Sequence, residues 1–216
     1  MIMSLERRFI FIHIYKNAGT SIKRALRPYT IPVWQAAANQ VLKRIGLRQF
    51  CSSYDRRHVT AAEVINEFGH RAFDSCFSFA IVRNPWDWEV SQYKYICKNK
   101  LHPHHSLVSG MGDFGEYLVW KSQGPFRLQQ EFIDFDHRQA VSFVGRFENL
   151  DEDFRIISKR IGLDLKLATR NTTSGRPYQE YYDRNSVELI KQMYQLDLER
   201  FQYEFESSPT RVEIAA

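Results

Sequence analysis

The chain has 216 residues, 44% of them hydrophobic and 14% aromatic, which is enough for one domain with its own core and excludes a disordered or fibrous protein. Its 30 Lys and Arg outnumber its 25 Asp and Glu, and the net charge of +5 favours anionic ligands without naming one. The basic residues are scattered, with no block that would make a nucleic-acid arm, and Cys51, Cys76 and Cys97 lie in no Cys-x-x-Cys spacing of zinc or redox type.

The first element in chain order is the β-branched and aromatic run Arg8 to Ile14, which predicts a buried strand and is far too short to span a membrane. No charged segment precedes a long apolar stretch, so a cytoplasmic protein without signal peptide or membrane span is expected, with residues 1–216 forming a single domain. Lys16-Asn17-Ala18-Gly19-Thr20-Ser21 follows as a loop of small residues. Ile22, Ala25 and Leu26 then take helical spacing until Pro28 stops the pattern. Trp34 to Leu47 is a weak helix candidate. Thr60 and Glu63 form a capping-box pattern ahead of Val64, Ile65 and Phe68, with Gly69 as the stop and His58 on the incoming loop.

A second strand, Cys76 to Val82, runs into Arg83-Asn84-Pro85, where Asn84 can cap and Pro85 can open a helix carrying Trp86, Val90, Tyr93 and Cys97. A loop with His102, His104 and His105 leads to a short helix over Asp113 to Lys121. A third strand is expected over Ala140 to Gly145, followed by a helix capped by Asn149 and bearing Leu150, Phe154, Ile157 and Ile161. The turn-rich Asn171 to Pro177 precedes a last helix capped by Asp183. Strands alternating with helices predict an α/β fold, with a mostly parallel central sheet flanked by helices and ligands at the carboxyl ends of the strands.

Both strand-to-helix loops fall at those ends. A loop of small residues entering a helix offers backbone N–H groups and the positive end of the helix dipole to an anion; Lys16 adds a charge, and Thr20 and Ser21 add hydroxyls. The Walker loop has its lysine after the second glycine, whereas here Lys16 precedes the loop's single glycine, Gly19, an order that disfavours an ordinary kinase or ATPase.

Lys16-Asn17-Ala18-Gly19-Thr20-Ser21 resembles the 5′-phosphosulfate loop of sulfotransferases that use 3′-phosphoadenosine 5′-phosphosulfate (PAPS). Ala80 to Asp87, with Ser91 eight residues after Arg83, resembles the same family's 3′-phosphate motif. Phe143 to Leu150 and the tail from Tyr181 to Phe201 are similar to its carbohydrate and heparan-type branch, which often has a basic residue where this chain has Trp88. The resemblance implies a three-layer, P-loop-like fold, with PAPS as co-substrate, a hydroxylated acceptor such as a carbohydrate or glycolipid, and no metal.

Cofactor-binding roles then fall to Lys16, Asn17, Ala18, Gly19, Thr20, Ser21, Arg83 and Ser91, with Arg176 and Tyr178 as a late loop over the nucleotide's phosphate and adenine. The implied chemistry is an in-line displacement at sulfur, with Lys16 stabilising the leaving oxygen and a histidine taking the acceptor's proton. His58 is the candidate base; His13 competes, although its place in an apolar run favours a core histidine. Two other readings are open: a P-loop-type small-molecule kinase, which needs magnesium, and an inactive nucleotide- or glycan-binding module on the same fold. The three clustered histidines have no acidic or cysteine partner at metal-ligand spacing.

Overall fold

The computed structural model describes residues 1–30, 35, 38, 41, 42, 44–47, 53–55, 58–167 and 176–206, with 53–55 described in backbone only. Of the helix expected over Trp34 to Leu47, the described residues Gln35, Ala38, Val41, Leu42 and Arg44 are helical, whereas residues 34, 36, 37, 39, 40 and 43, Cys51 and residues 171–175 lie outside the described residues.

The strands are β1 (Ile2–Ser4), β2 (Phe9–Ile12), β3 (Ser53–Asp55), β4 (Phe77–Val82), β5 (Asp134–Phe135), β6 (Arg138–Gln139) and β7 (Phe143–Arg146). The helices are α1 (Gly19–Leu26), α2 (Ala61–Phe68), α3 (His70–Asp74), α4 (Pro85–Lys98), α5 (His105–Ser109), α6 (Phe114–Gln123), α7 (Gln130–Ile133), α8 (Leu150–Arg160), α9 (Arg184–Met193) and α10 (Gln195–Phe201). Contacts divide the chain into two compact units, Met1–Val82 with Gln130–Arg170, and Arg83–Gln129 with Asn171–Ala215.

The first unit holds the sheet, in the order β3-β1-β2-β4-β7. β2, β4 and β7 are parallel neighbours, with β7 at one edge, while β1 pairs antiparallel with both β2 and β3. Alternation along each strand gives one face Phe9, Phe11, Phe79 and Ile81, which pack with Ile22 and Leu26 of α1 and with Phe154, Ile157 and Ile161 of α8. The opposite face is apolar too, since Ile10, Ile12, Ala80 and Val82 are all buried, as strands covered on both sides require. Gly145 lets α8 lie close to β7, because a Cβ there would stand 2.7 Å from Ile81 Cδ1 and 3.1 Å from Asp153 Cβ.

Local signals set several helix starts. Thr60 and Glu63 make the reciprocal capping box at α2, Asn84 Oδ1 accepts from Trp86 N at 3.0 Å at α4, and Asp183 accepts from Ser186 N at 2.7 Å at α9. Asn149 departs from expectation. A 3-10 turn over Phe147–Asn149 leads into α8, and the Asn149 side chain makes no capping bond.

The second unit is helical. Trp86, Trp88, Tyr117, Tyr194 and Phe201 are fully buried, as is Glu89, whose carboxylate accepts from Tyr117 Oη at 2.6 Å and Tyr194 Oη at 2.5 Å. A buried carboxylate is tolerated when hydrogen bonds replace its hydration, as these two do. Tyr182 donates to Trp86 O at 2.8 Å, and burial, with Glu89 and Asp87 nearby, holds its phenol well above the ordinary tyrosine range. No described helix is long and apolar enough to cross a membrane.

Candidate functional site

Parallel pairing of β2 with β4 brings the carboxyl ends of both strands to one edge of the sheet, and the Lys16 to Ser21 loop leaves from that edge. Lys16 and Ala18 sit at φ 64° and 56°, a left-handed conformation that Asn17 between them does not share. Such a conformation in a non-glycine residue costs on the order of 1–3 kcal/mol and persists where the surroundings enforce it. Alternating handedness along successive residues turns their N–H groups toward one concavity, the backbone geometry of an anion nest. Asn17 supplies the enforcement: it is 1% exposed, and its Nδ2 donates to Ile81 O of β4 at 2.8 Å. Its side chain is a tie to the sheet, so an anion would meet only its backbone.

Helix α1 begins at Gly19. Ala18 O accepts from Ser21 N at 2.9 Å and Ile22 N at 3.1 Å, so the N–H groups of Gly19 and Thr20 have no acceptor within the helix. The first turn carries no acidic residue that would repel an anion, and Thr20 is exposed. Gly19 has a steric reason to be glycine, because a Cβ there would come within 1.7 Å of His13 Nε2.

β2 ends at Ile12, one residue before His13, so His13 is a half-buried loop residue and not the core strand histidine expected from the apolar run. Its ring continues the row of Phe11, with centroids 5.8 Å apart, and lies against Gly19. His58 stands 4.9 Å from it between ring centroids, in a left-handed conformation at φ 55°. Tyr15 meets the His58 ring edge-on at 5.7 Å and Phe132 at 5.9 Å. Both candidate bases therefore sit together beside the strained loop, inside the first unit.

In the second unit Arg83 follows the last residue of β4 directly. Its Nε donates to Asp87 Oδ2 at 2.8 Å, and Nη2 pairs with the same oxygen at 2.7 Å. Its backbone is held as well: Arg83 N donates to Gln129 Oε1 at 2.9 Å, and Gln129 Nε2 donates to Arg83 O at 2.7 Å. Ser91 lies on α4 one turn beyond Asp87, so Asp87 and Ser91 share a helix face.

The late loop divides. Tyr178 Oη donates to Phe205 O at 2.5 Å and accepts from Asn84 Nδ2 at 3.3 Å, so its hydroxyl anchors the loop within this unit. Arg176 is exposed, with its guanidinium 4.0 Å from the Tyr181 ring centroid, and Lys94 Nζ lies 4.7 Å from the same centroid. Burial pushes the Tyr181 phenol up, but hydrogen bonds from Arg176 and Lys94 and their charges outweigh it and bring the group below the ordinary tyrosine range.

Trp88 is fully buried against Tyr194, at 5.7 Å between ring centroids, so it lines no open cleft. His102 and His104 contact the rings of Tyr95 and Trp120, while His105 Nδ1 lies 2.9 Å from Ile96 O. Gln129 was not legible as a site residue, being 46 positions from Arg83 with no local pattern; the Arg83–Asp87 spacing of four on a helix start was the one available signal.

Parallel strands β2, β4 and β7 with a strand-to-helix loop at their carboxyl edge make up a P-loop-like α/β fold. A mouse sulfotransferase, SULT7A1, solved in complex with PAP, matches with a TM-score of 0.53 at 13% identity, over 91% of this chain and 86% of that one. An uncharacterized protein of Archaeoglobus fulgidus is 29% identical over 119 residues, which are 53% of this chain and 92% of the relative. The model of the sulfotransferase family, Sulfotransfer_2, matches residues 1–204. The chain belongs to the sulfotransferase family, and the reaction of its class is sulfuryl transfer.

Proposed function

We propose that the protein transfers the sulfuryl group of PAPS to a hydroxyl of a carbohydrate acceptor by in-line displacement. The observation that carries this reading is the nest of Lys16 to Ser21, strained and tied to β4, with two imidazoles beside it. Lys16 and the N–H groups of Gly19 and Thr20 take the 5′-phosphosulfate, and Thr20 and Ser21 add hydroxyl donors. Arg83 and Ser91 take the 3′-phosphate, and Arg176 reaches the nucleotide from the late loop.

As the sulfur–oxygen bond of the donor breaks, negative charge collects on the leaving phosphate oxygen, and the fixed donors of the loop stabilise it without reorganising. The acceptor oxygen bonds to sulfur and gives up its proton to His58. His58 is preferred over His13 because the His13 ring is pressed against Gly19 at Nε2, whereas His58 stands on the loop ahead of α2. His13 then orients its partner. The chemistry asks for no metal: the charge that magnesium neutralises in a kinase falls here to Lys16 and backbone N–H groups, and the position of Lys16 ahead of Gly19 disfavours the kinase reading.

A carbohydrate acceptor is supported by the similarity of Phe143 to Leu150 and of the tail to that branch of the family. The test is single-turnover transfer from radiolabelled PAPS to a panel of polysaccharides, glycolipids and small hydroxylated compounds. Label transfer to a saccharide that is lost in His58→Ala supports the reading; transfer confined to non-carbohydrate acceptors would sink the acceptor class, and full transfer by His58→Ala would sink the base.

A further inference from the structure

Arg83 is held at two places, its backbone by Gln129 and its guanidinium by Asp87. Gln129 is fully buried, and both ends of its amide are used, Oε1 on Arg83 N and Nε2 on Arg83 O. A side-chain amide here substitutes for a neighbouring strand and fixes the backbone of the residue just beyond β4, as a ladder pair would. Gln129 is itself held, since its backbone N–H donates to Asp197 Oδ2 at 2.7 Å and Asp197 is fully buried.

Asp87 acts on the other end of the residue. Two donors of the planar guanidinium, Nε and Nη2, share its Oδ2, which turns the Nη1 edge away from the carboxylate. The side chains of Arg83 and Asp87 are 11% and 25% exposed, so the pair is confined but still reachable from solvent. Helix α4 does not need this pair to begin, because Asn84 caps it and Pro85 opens it.

We infer that Gln129 and Asp87 are positioning residues that fix the backbone and the guanidinium of Arg83, and thereby set the preference for a nucleotide carrying a 3′-phosphate, a role that rests on the assignment of Arg83 above. The opposing effect is Coulombic: the Asp87 carboxylate repels a phosphate, so if charge alone mattered its removal would tighten binding. The two effects differ in sign.

The experiment is calorimetric titration of the full chain and its Asp87→Ala and Gln129→Glu variants with adenosine 3′,5′-bisphosphate and with adenosine 5′-monophosphate, which lacks the 3′-phosphate. Asp87→Ala lowers bisphosphate affinity about tenfold, the scale of one charge-assisted hydrogen bond, and changes monophosphate affinity by less than about twofold. Gln129→Glu, which faces the Arg83 carbonyl with an acceptor, shifts the ratio the same way; Asp87→Ala, being at a part-exposed position, keeps the test available if the buried variant fails to fold. Equal losses for both nucleotides, no loss, or tighter bisphosphate binding overturns the positioning role. A wild-type chain with no preference between the two nucleotides overturns the assignment of Arg83 and this inference with it.

Discussion

Gly19 carries the most local of the expectations. An added methyl would overlap the His13 imidazole, so Gly19→Ala must push His13 aside or lift the loop from the sheet. Overpacking of this kind costs about 1–3 kcal/mol. Gly19→Ala is therefore expected to lower the midpoint of thermal unfolding and to weaken bisphosphate binding together; wild-type values in both would show that His13 moves freely. Lys16→Ala is expected to separate rate from affinity. It should cut sulfuryl transfer by about 10²–10³-fold, the scale for one lost oxyanion donor, with a much smaller change in bisphosphate affinity. Parallel losses in rate and affinity would assign Lys16 to ground-state binding. The types and order of these loop residues were readable in the sequence, but the tie from Asn17 to Ile81 and the contact of His13 with Gly19 were not. Both join residues through the sheet register, which no local pattern carries.

The element scale was legible wherever the pattern was long or the cap was chemical. The strands now seen as β2 and β4 announced themselves by apolar runs, that of β4 interrupted only by Ser78, and α2, α4 and α9 by Thr60, Asn84 and Asp183. β1 and β3 were not expected, because three residues are too few to show a period and the two strands pair with each other, Ser4 opposite Ser53, across a long stretch of chain. Asn149 misled because a residue type that often caps does so only if the backbone enters extended, and here a 3-10 turn leads in. Asp183 gives a pH test at this scale. Hydrogen bonds from the Ser186 side chain and backbone hold its carboxyl below the ordinary carboxylate range, so its contribution is full above the unfolded carboxylate pKa and is lost as pH falls through the lower folded value. Asp183→Asn should therefore unfold at lower denaturant than wild type near pH 7, with the two curves converging in acid. A difference that stays constant across that range would remove the titration of Asp183 as its cause.

In the whole molecule, the Lys16 to Ser21 loop and both imidazoles belong to one compact unit, whereas Arg83, Ser91, Gln129 and the late loop belong to the other. The second unit is organised around Glu89. Glu89→Ala would strand two buried phenol hydroxyls at about 1–3 kcal/mol each, a large share of a domain's stability, and should appear as loss of near-ultraviolet circular dichroism at temperatures where the wild type is folded. An unchanged unfolding midpoint would mean that the two tyrosines find other acceptors. Whether these residues serve a sulfuryl donor or a nucleoside triphosphate is decided by calorimetric titration with adenosine 3′,5′-bisphosphate and with ATP, each with and without magnesium. Bisphosphate binding that is independent of the metal, with little binding of ATP, is expected for a sulfuryl-donor site; magnesium-dependent binding of ATP alone would contradict that role.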